Sequence, residues 1–259
     1  MTQFTSISVH KQPKRSDTAI RIQVSNATII ISREDRDLVD LKWAMNGSGY
    51  ASSTVSRQGS KLMHRLILSR KLGRPMVKGE FVDHINRNKL DNRRQNLRLA
   101  TPAQNRYNVG IQKNNKSGFK GVTWTKAGKC FEAKISIKDI RQHIGYFNTA
   151  EEAAHAYDRA ALYYYGEFAS PNYPVSDYNQ LPPYVPGQYS ARATKTSSVY
   201  KGVSWHKPRR KWEVSIAVNK VKHYLGLFVD EVEAACAYDA AVLKMGLNRS
   251  TNFPGVQSS

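Results

Sequence analysis

Asp83 and His84 stand side by side in Glu80-Phe81-Val82-Asp83-His84-Ile85-Asn86. A loop with Asn88, Lys89, Asp91 and Asn92 follows, and then Arg93, Arg94, Asn96 and Arg98. Phe81 and Val82 predict a strand, in which adjacent side chains point to opposite sides. One of the pair can then hold a cation while the other faces a reacting group. A neutral imidazole is a general base at physiological pH. Carboxylate and amide oxygens suit a hard divalent ion such as Mg²⁺. Phosphodiester hydrolysis needs these two parts, a base to deprotonate water and a cation to offset the developing charge.

The neighbouring residues have plainer readings. Asn86, Asn88, Asp91 and Asn92 read as turn formers, and Asn96 has a rival reading as a loop or capping residue. His64 opens the apolar run His64–Leu68 and reads as a packed core histidine, its role left open. Arg93, Arg94, Arg98 and Arg106 are expected to clamp phosphates. The stretch from Asn92 or Arg93 is expected to open a short helix. Upstream, Ala27–Ile31 is a β-branched run and Glu34–Trp43 an acidic helix-like stretch, together a scaffold without chemistry of its own.

His64-Arg65-Leu66, Asp83-His84-Ile85-Asn86 and Asn96-Leu97-Arg98 resemble the HNH endonuclease family, in the phage and intron homing subgroup whose third signature residue is Asn. The resemblance spans His64 to Asn108. It implies a β-hairpin and helix gripping one divalent ion, Mg²⁺ or Mn²⁺. It also implies His84 as general base and Asp83 as metal ligand. Asn105, 21 positions after His84, would be the second protein ligand. Asn96, 12 positions after His84, would orient the histidine through the loop backbone. Such nucleases often nick a single strand.

The composition suits that target. Forty Lys and Arg against 20 Asp and Glu give a formal charge of +20, which calls for a polyanionic partner. A hydrophobic share of 40% among 259 residues is enough for real cores and one to three domains. No uncharged apolar run approaches the ~18 residues of a membrane span, and no secretory signal is recognisable. Cys130 and Cys236 alone make neither a four-ligand zinc site nor a disulfide framework. An intracellular setting is expected: the cytoplasm or nucleoid of a bacterial or phage-infected cell, or the nucleus or an organelle in a eukaryote.

The second half of the chain repeats itself. Gly121-Val122-Thr123-Trp124 returns as Gly202-Val203-Ser204-Trp205, an offset of 81 positions that holds without a gap through Ala156-Tyr157-Asp158 and Ala237-Tyr238-Asp239. Each copy predicts three short strands, at Phe119–Thr123, Phe131–Ile137 and Gln142–Phe147 in the first. Phe131, Ala133, Ile135 and Ile137 share one face, with Glu132, Lys134, Ser136 and Lys138 on the other. A helix follows, with Thr149 as N-cap, Glu152 completing a capping box, and a stripe of small alanines for packing on the sheet. Val175–Ser197, rich in Pro, Tyr, Ser and Gln, reads as an extended tether.

The Gly-Val-x-Trp run, the aromatics Phe131 and Trp212, and the Ala-Tyr-Asp helix resemble the DNA-binding domain of plant Apetala/ethylene-response-factor regulators. That family lays its sheet in the major groove. The resemblance implies a contact face of Lys120, Thr123, Thr125, Lys134, Ser136, Arg141 and His143 in the first copy. In the second it implies Lys201, Ser204, His206, Ser215, Lys222 and Tyr224. Several family arginines are Thr, Ser or His here, so phosphate-dominated binding with modest base readout is expected.

The expected fold class is α+β: an N-terminal ββα-metal (HNH) nuclease module followed by two small domains, each a three-stranded antiparallel sheet packed on one helix. The expected boundaries are a basic tail at 1–18, the nuclease domain at 19–112 and a short linker at 113–116. The first sheet domain follows at 117–174, a Pro-rich linker at 175–197, the second sheet domain at 198–254 and a tail at 255–259. The expected partner is double-stranded DNA, met by a monomer, with no membrane and no small-molecule substrate. The rival expectation is a non-catalytic transcription regulator or architectural DNA binder.

Overall fold

The computed structural model describes residues 19–53, 61–126, 129–189 and 198–253. The two tails, the end of the Pro-rich linker at 190–197, and Pro254 lie outside the described residues. The chain divides into two units between Arg106 and Tyr107.

The first unit opens with a hairpin of β1 (Ile20–Val24) and β2 (Ala27–Ile31), its alternation burying Ile29 and Ile31. The acidic, helix-like stretch that follows is a 3-10 helix, Arg33–Asp40, ending three residues short of the expected Trp43. Only Asp35 and Leu38, three residues apart, face inward, which is the three-per-turn spacing of that conformation. A small sheet of β3 (Ala44–Met45), β4 (Ala51–Ser53) and β5 (Lys61–Leu62) leads into α1 (Met63–Leu72). Gly73 ends α1 in the left-handed conformation, φ 67°.

Next come β6 (Phe81–His84), the two-residue β7 (Asp91–Asn92), β8 (Leu97–Ala100) and α2 (Pro102–Tyr107). Strands β6 and β8 pair antiparallel, Asp83 opposite Arg98 and His84 opposite Leu97. β7 pairs in parallel with β2, Ile30 with Asp91 and Ile31 with Asn92. The expected helix from Asn92 or Arg93 is only a 3-10 turn, Arg94–Asn96, because the chain must straighten at Leu97 to join β6. Ile29, Ile31, Leu38, Met63, Ile67, Leu68 and Leu97 form the centre of the core.

In the second unit, β9 (Val122–Thr125), β10 (Cys130–Ile137) and β11 (Ile140–Phe147) form one antiparallel sheet backed by α3 (Ala150–Tyr165). β12 (Val203–His206), β13 (Lys211–Val218) and β14 (Val221–Phe228) form another, backed by α4 (Glu231–Lys244). The register shifts at Ala133/Lys134 and at Val214/Ser215, the same place in each copy.

The first strand starts three residues later than expected. Gly121 turns the chain at φ 77°, and a Cβ there would lie 2.0 Å from the Tyr157 ring. Gly202 meets Tyr238 in the same way at 2.1 Å. Thr149 caps α3 through its hydroxyl, accepting from the Glu152 amide, while the Glu152 carboxylate accepts from Asn148 N–H.

The tether reading of Val175–Ser197 is corrected for its described part. Tyr178 is buried and donates to the Asp158 carboxylate at 2.9 Å, the Pro182 carbonyl accepts from Arg159, and Tyr189 is buried against Phe147. Tyrosine rings give this segment enough apolar area to pack, which its Pro and Gln content conceals.

Candidate active site and nucleic-acid interface

β6 carries both Asp83 and His84 into the interior, at 3% and 5% exposure. The Asp83 carboxylate is not left to solvent: Arg98, opposite it on β8, donates to Oδ2 at 2.7 Å. The His84 ring lies edge-on to His64, centroids 5.3 Å apart, and Tyr50 packs on His64 at 4.7 Å. Burial lowers the His84 pKa, which favours the neutral imidazole a base requires. Its Nε2 faces the Asn92 Oδ1 at 3.3 Å, and the Asn92 amide nitrogen is turned to the Leu90 carbonyl. An amide oxygen only accepts, so this contact is a hydrogen bond in the tautomer that carries its proton on Nε2.

The loop between β6 and β8 is closed by Asn96. Its side chain accepts from the Asn86 amide and donates to the Asn86 side chain and the Asp91 carbonyl, at 2.7–2.9 Å. Its own carbonyl accepts from Ile85 N–H. Asn96 thus holds the backbone just past His84.

Asn92 is the residue that sequence reasoning missed. It read as loop geometry, yet it is fully buried and sits on the imidazole. The signal that could have found it is its place beside Asp91 on β7, but that two-residue strand has no periodicity to read. Asp91 is likewise buried, bidentate to Arg93 at 2.6 and 2.8 Å. His64 is buried as expected of a core histidine, and burial lowers its pKa to about 3.

Of the four arginines expected to clamp phosphates, three are committed inside the unit. Arg93 holds Asp91, Arg98 holds Asp83, and Arg94 forks onto the wholly buried Asp35 at 2.8 and 2.9 Å. The Arg94 guanidinium meets a carboxylate 59 positions away, which no local pattern displays. Arg106 is exposed on α2.

Asn105 is half-buried on the same helix, one turn past the end of β8. Among the described residues no group of three His, Cys, Asp or Glu is placed to hold a metal. The expected donors are one carboxylate and one amide, both hard oxygens on one ββα unit. That chemistry fits a divalent cation which keeps waters of its own.

In the second unit, Thr123, Ser136, Arg141 and His143 are exposed on the first sheet, and Ser204, Lys222 and Tyr224 on the second. Thr125, Lys134, His206 and Ser215 are half-exposed. Two glutamates temper these faces. Glu132 pairs with Lys134 and with His143, each at 2.9 Å, and its counterpart Glu213 lies 3.4 Å from Lys222. Half-buried Lys120 donates to the Tyr107 carbonyl, and exposed Lys201 donates to the Ser250 hydroxyl. Among the described residues no helix is long and apolar enough to cross a membrane.

The HNH endonuclease family model matches residues 61–107. An uncharacterized HNH endonuclease of Acanthamoeba polyphaga mimivirus, L560, is 37% identical over 131 residues, 51% of this chain and 66% of that protein. The AP2-like ethylene-responsive transcription factor AIL7 of Arabidopsis thaliana is 37% identical over 160 residues, 52% of this chain and 32% of its own length. APETALA2-like protein 2 of Oryza sativa subsp. indica is 36% identical over 151 residues, covering 53% of this chain and 35% of its own length. The chain therefore spans just under two thirds of the viral relative and about a third of the plant ones. A segment that matches the HNH endonuclease family is followed in this chain by a C-terminal part similar to AP2-like transcription factors.

Proposed function

We propose that the chain is a metal-dependent DNA endonuclease of the HNH type that nicks duplex DNA as a monomer and is held on it by the two C-terminal sheets. The observation that carries this reading is the burial of Asp83 beside His84, whose ring is kept neutral by burial and whose Nε2 faces the Asn92 Oδ1. His84 takes a proton from the attacking water at Nδ1. Asn92 holds the ring, and Asn96 holds the backbone that follows it. Asp83 and Asn105 would hold the ion, Mg²⁺ or Mn²⁺, which when bound offsets the charge that develops on the phosphate. On the two sheets, the exposed Arg141, His143, Lys222 and Tyr224 and their neighbours would meet the DNA backbone and base edges.

One observation favours a non-catalytic, DNA-binding reading: the Asp83 carboxylate already has Arg98 as its counter-ion. Plasmid nicking with Mg²⁺ or Mn²⁺ against EDTA separates the two. His84→Ala is expected to abolish the nick while leaving DNA affinity near normal. Equal nicking by the variant would remove His84 as the base, and no nicking by the parent with either ion would leave the binding reading.

A further inference from the structure

The two repeats do not behave as beads on a string. Arg159 of α3 is 4% exposed, its Nη1 3.7 Å from Oδ1 of Asp230, the residue that caps α4. The Trp212 indole, 1% exposed on β13, donates to the Glu152 carboxylate of α3. Arg210 donates to the Asn148 carbonyl at 2.7 Å. Val232 of α4 belongs to the core of the first repeat. Tyr189, from the supposed tether, closes the same region, so near to Gly145 that a Cβ there would meet it at 2.9 Å.

The repeat offset shows that these contacts are specialised. Where each copy builds its own core the residues agree: Gly121 and Gly202, Tyr157 and Tyr238, Asp158 and Asp239. Where the copies meet most positions differ, although Glu152 is matched by Glu233. Arg159 corresponds to Ala240, Asp230 to Thr149, Trp212 to Phe131, and Asn148 to Val229. Ala240 is exposed, so the Arg159 contact runs in one direction and stops at two copies. Such a contact is the heterologous kind, fixed in orientation by unlike surfaces.

We propose that the two sheets form one composite docking surface, fitted to a single DNA duplex whose two contacted segments have a fixed spacing and helical phase. The proposal rests on the DNA-binding reading above, and the partner's charge follows from exposed Lys138 and Arg141 on one sheet and Lys207, Lys220 and Lys222 on the other. A flexible linker would tolerate many spacings at a modest loss of effective concentration. A buried ion pair, a buried indole and a wedged tyrosine permit one.

Two measurements on the full chain test it. Spin labels at Ile140→Cys and Val221→Cys, exposed positions in the two hairpins, are placed in a Cys130→Ala, Cys236→Ala background. Without DNA, a single narrow distance distribution is expected, and Arg159→Glu is expected to broaden it. A broad distribution in the protein with Arg159 intact overturns the proposal and leaves DNA binding itself untouched. Separately, a duplex selected from a random library is bound in EDTA, and 5 or 10 base pairs are inserted between its two protected segments. Either insertion is expected to lower affinity about 100-fold, the avidity lost when only one sheet engages. Unchanged affinity with either insertion overturns the fixed spacing. Failure to bind any selected duplex overturns the DNA partner, and with it the reading under Proposed function.

Discussion

Acidification should loosen the first unit through His64, by an amount the structure allows to be worked out. The imidazole titrates near 6.5 when unfolded and at about 3 when folded, because burial penalises the imidazolium and His84 and Arg65 stand nearby. Below 6.5 the unfolded chain binds a proton that the folded chain refuses. Stability is therefore complete above 6.5 and falls as the pH drops toward 3. Between about pH 7.5 and about pH 4.5 the linkage amounts to about 2.7 kcal/mol.

His64→Phe removes that proton site while keeping a ring against Tyr50 and His84, and it breaks no bond at Nδ1, which is buried without a hydrogen-bond partner. Urea unfolding at the two pH values, read from hydrogen exchange of the α1 amides, compares the proteins. Carboxylates titrate in both and cancel in the difference. The variant should lose about 2.7 kcal/mol less than the parent on acidification. Equal losses would mean that His64 does not carry the acid sensitivity, and the argument from its burial would fail.

Other perturbations have equally definite outcomes. Gly121→Ala drives a Cβ into the Tyr157 ring at a positive φ, so the first repeat should lose about 2–5 kcal/mol in thermal unfolding. Arg94→Ala takes a fork from the buried Asp35, leaving it only Arg70 at 3.4 Å, and should cost about 1.5–3 kcal/mol by urea titration with no change in the DNA salt slope. If about 8 phosphates are neutralised, log affinity should fall against log salt with a slope near −7. A slope shallower than about −2 in a binding titration would show that the sheet glutamates keep most of those lysines for themselves.

The sequence discloses what is local or repeated. The offset of 81 places both sheets and both helices to within a few residues, since each copy's alternation is checked by the other. The Asp83-His84 pair is legible because a strand and its two side chains lie in four consecutive residues. Arg94 is not: its partner Asp35 sits in a stretch that reads as acidic, helix-like scaffold, and only the folded core reveals the carboxylate as buried. Asn92 escaped for the same reason, its strand being defined entirely by a partner 61 positions upstream. The contact between the repeats left one trace, the positions where the copies disagree, but disagreement between duplicates has no sign until the surfaces are seen together.

The parallel ladder between β2 and β7 has a bearing on how the segment matching the HNH endonuclease family can be moved about. The segment matching the HNH endonuclease family begins at residue 61. Its loop residues Asp91 and Asn92 nonetheless hang on Ile30 and Ile31, and its helix α1 shares a core with Trp43 and Leu38. A graft beginning at residue 61 would carry Asp83 and His84 and leave behind the hairpin on which β7 pairs. The smallest transplantable cassette starts with β1.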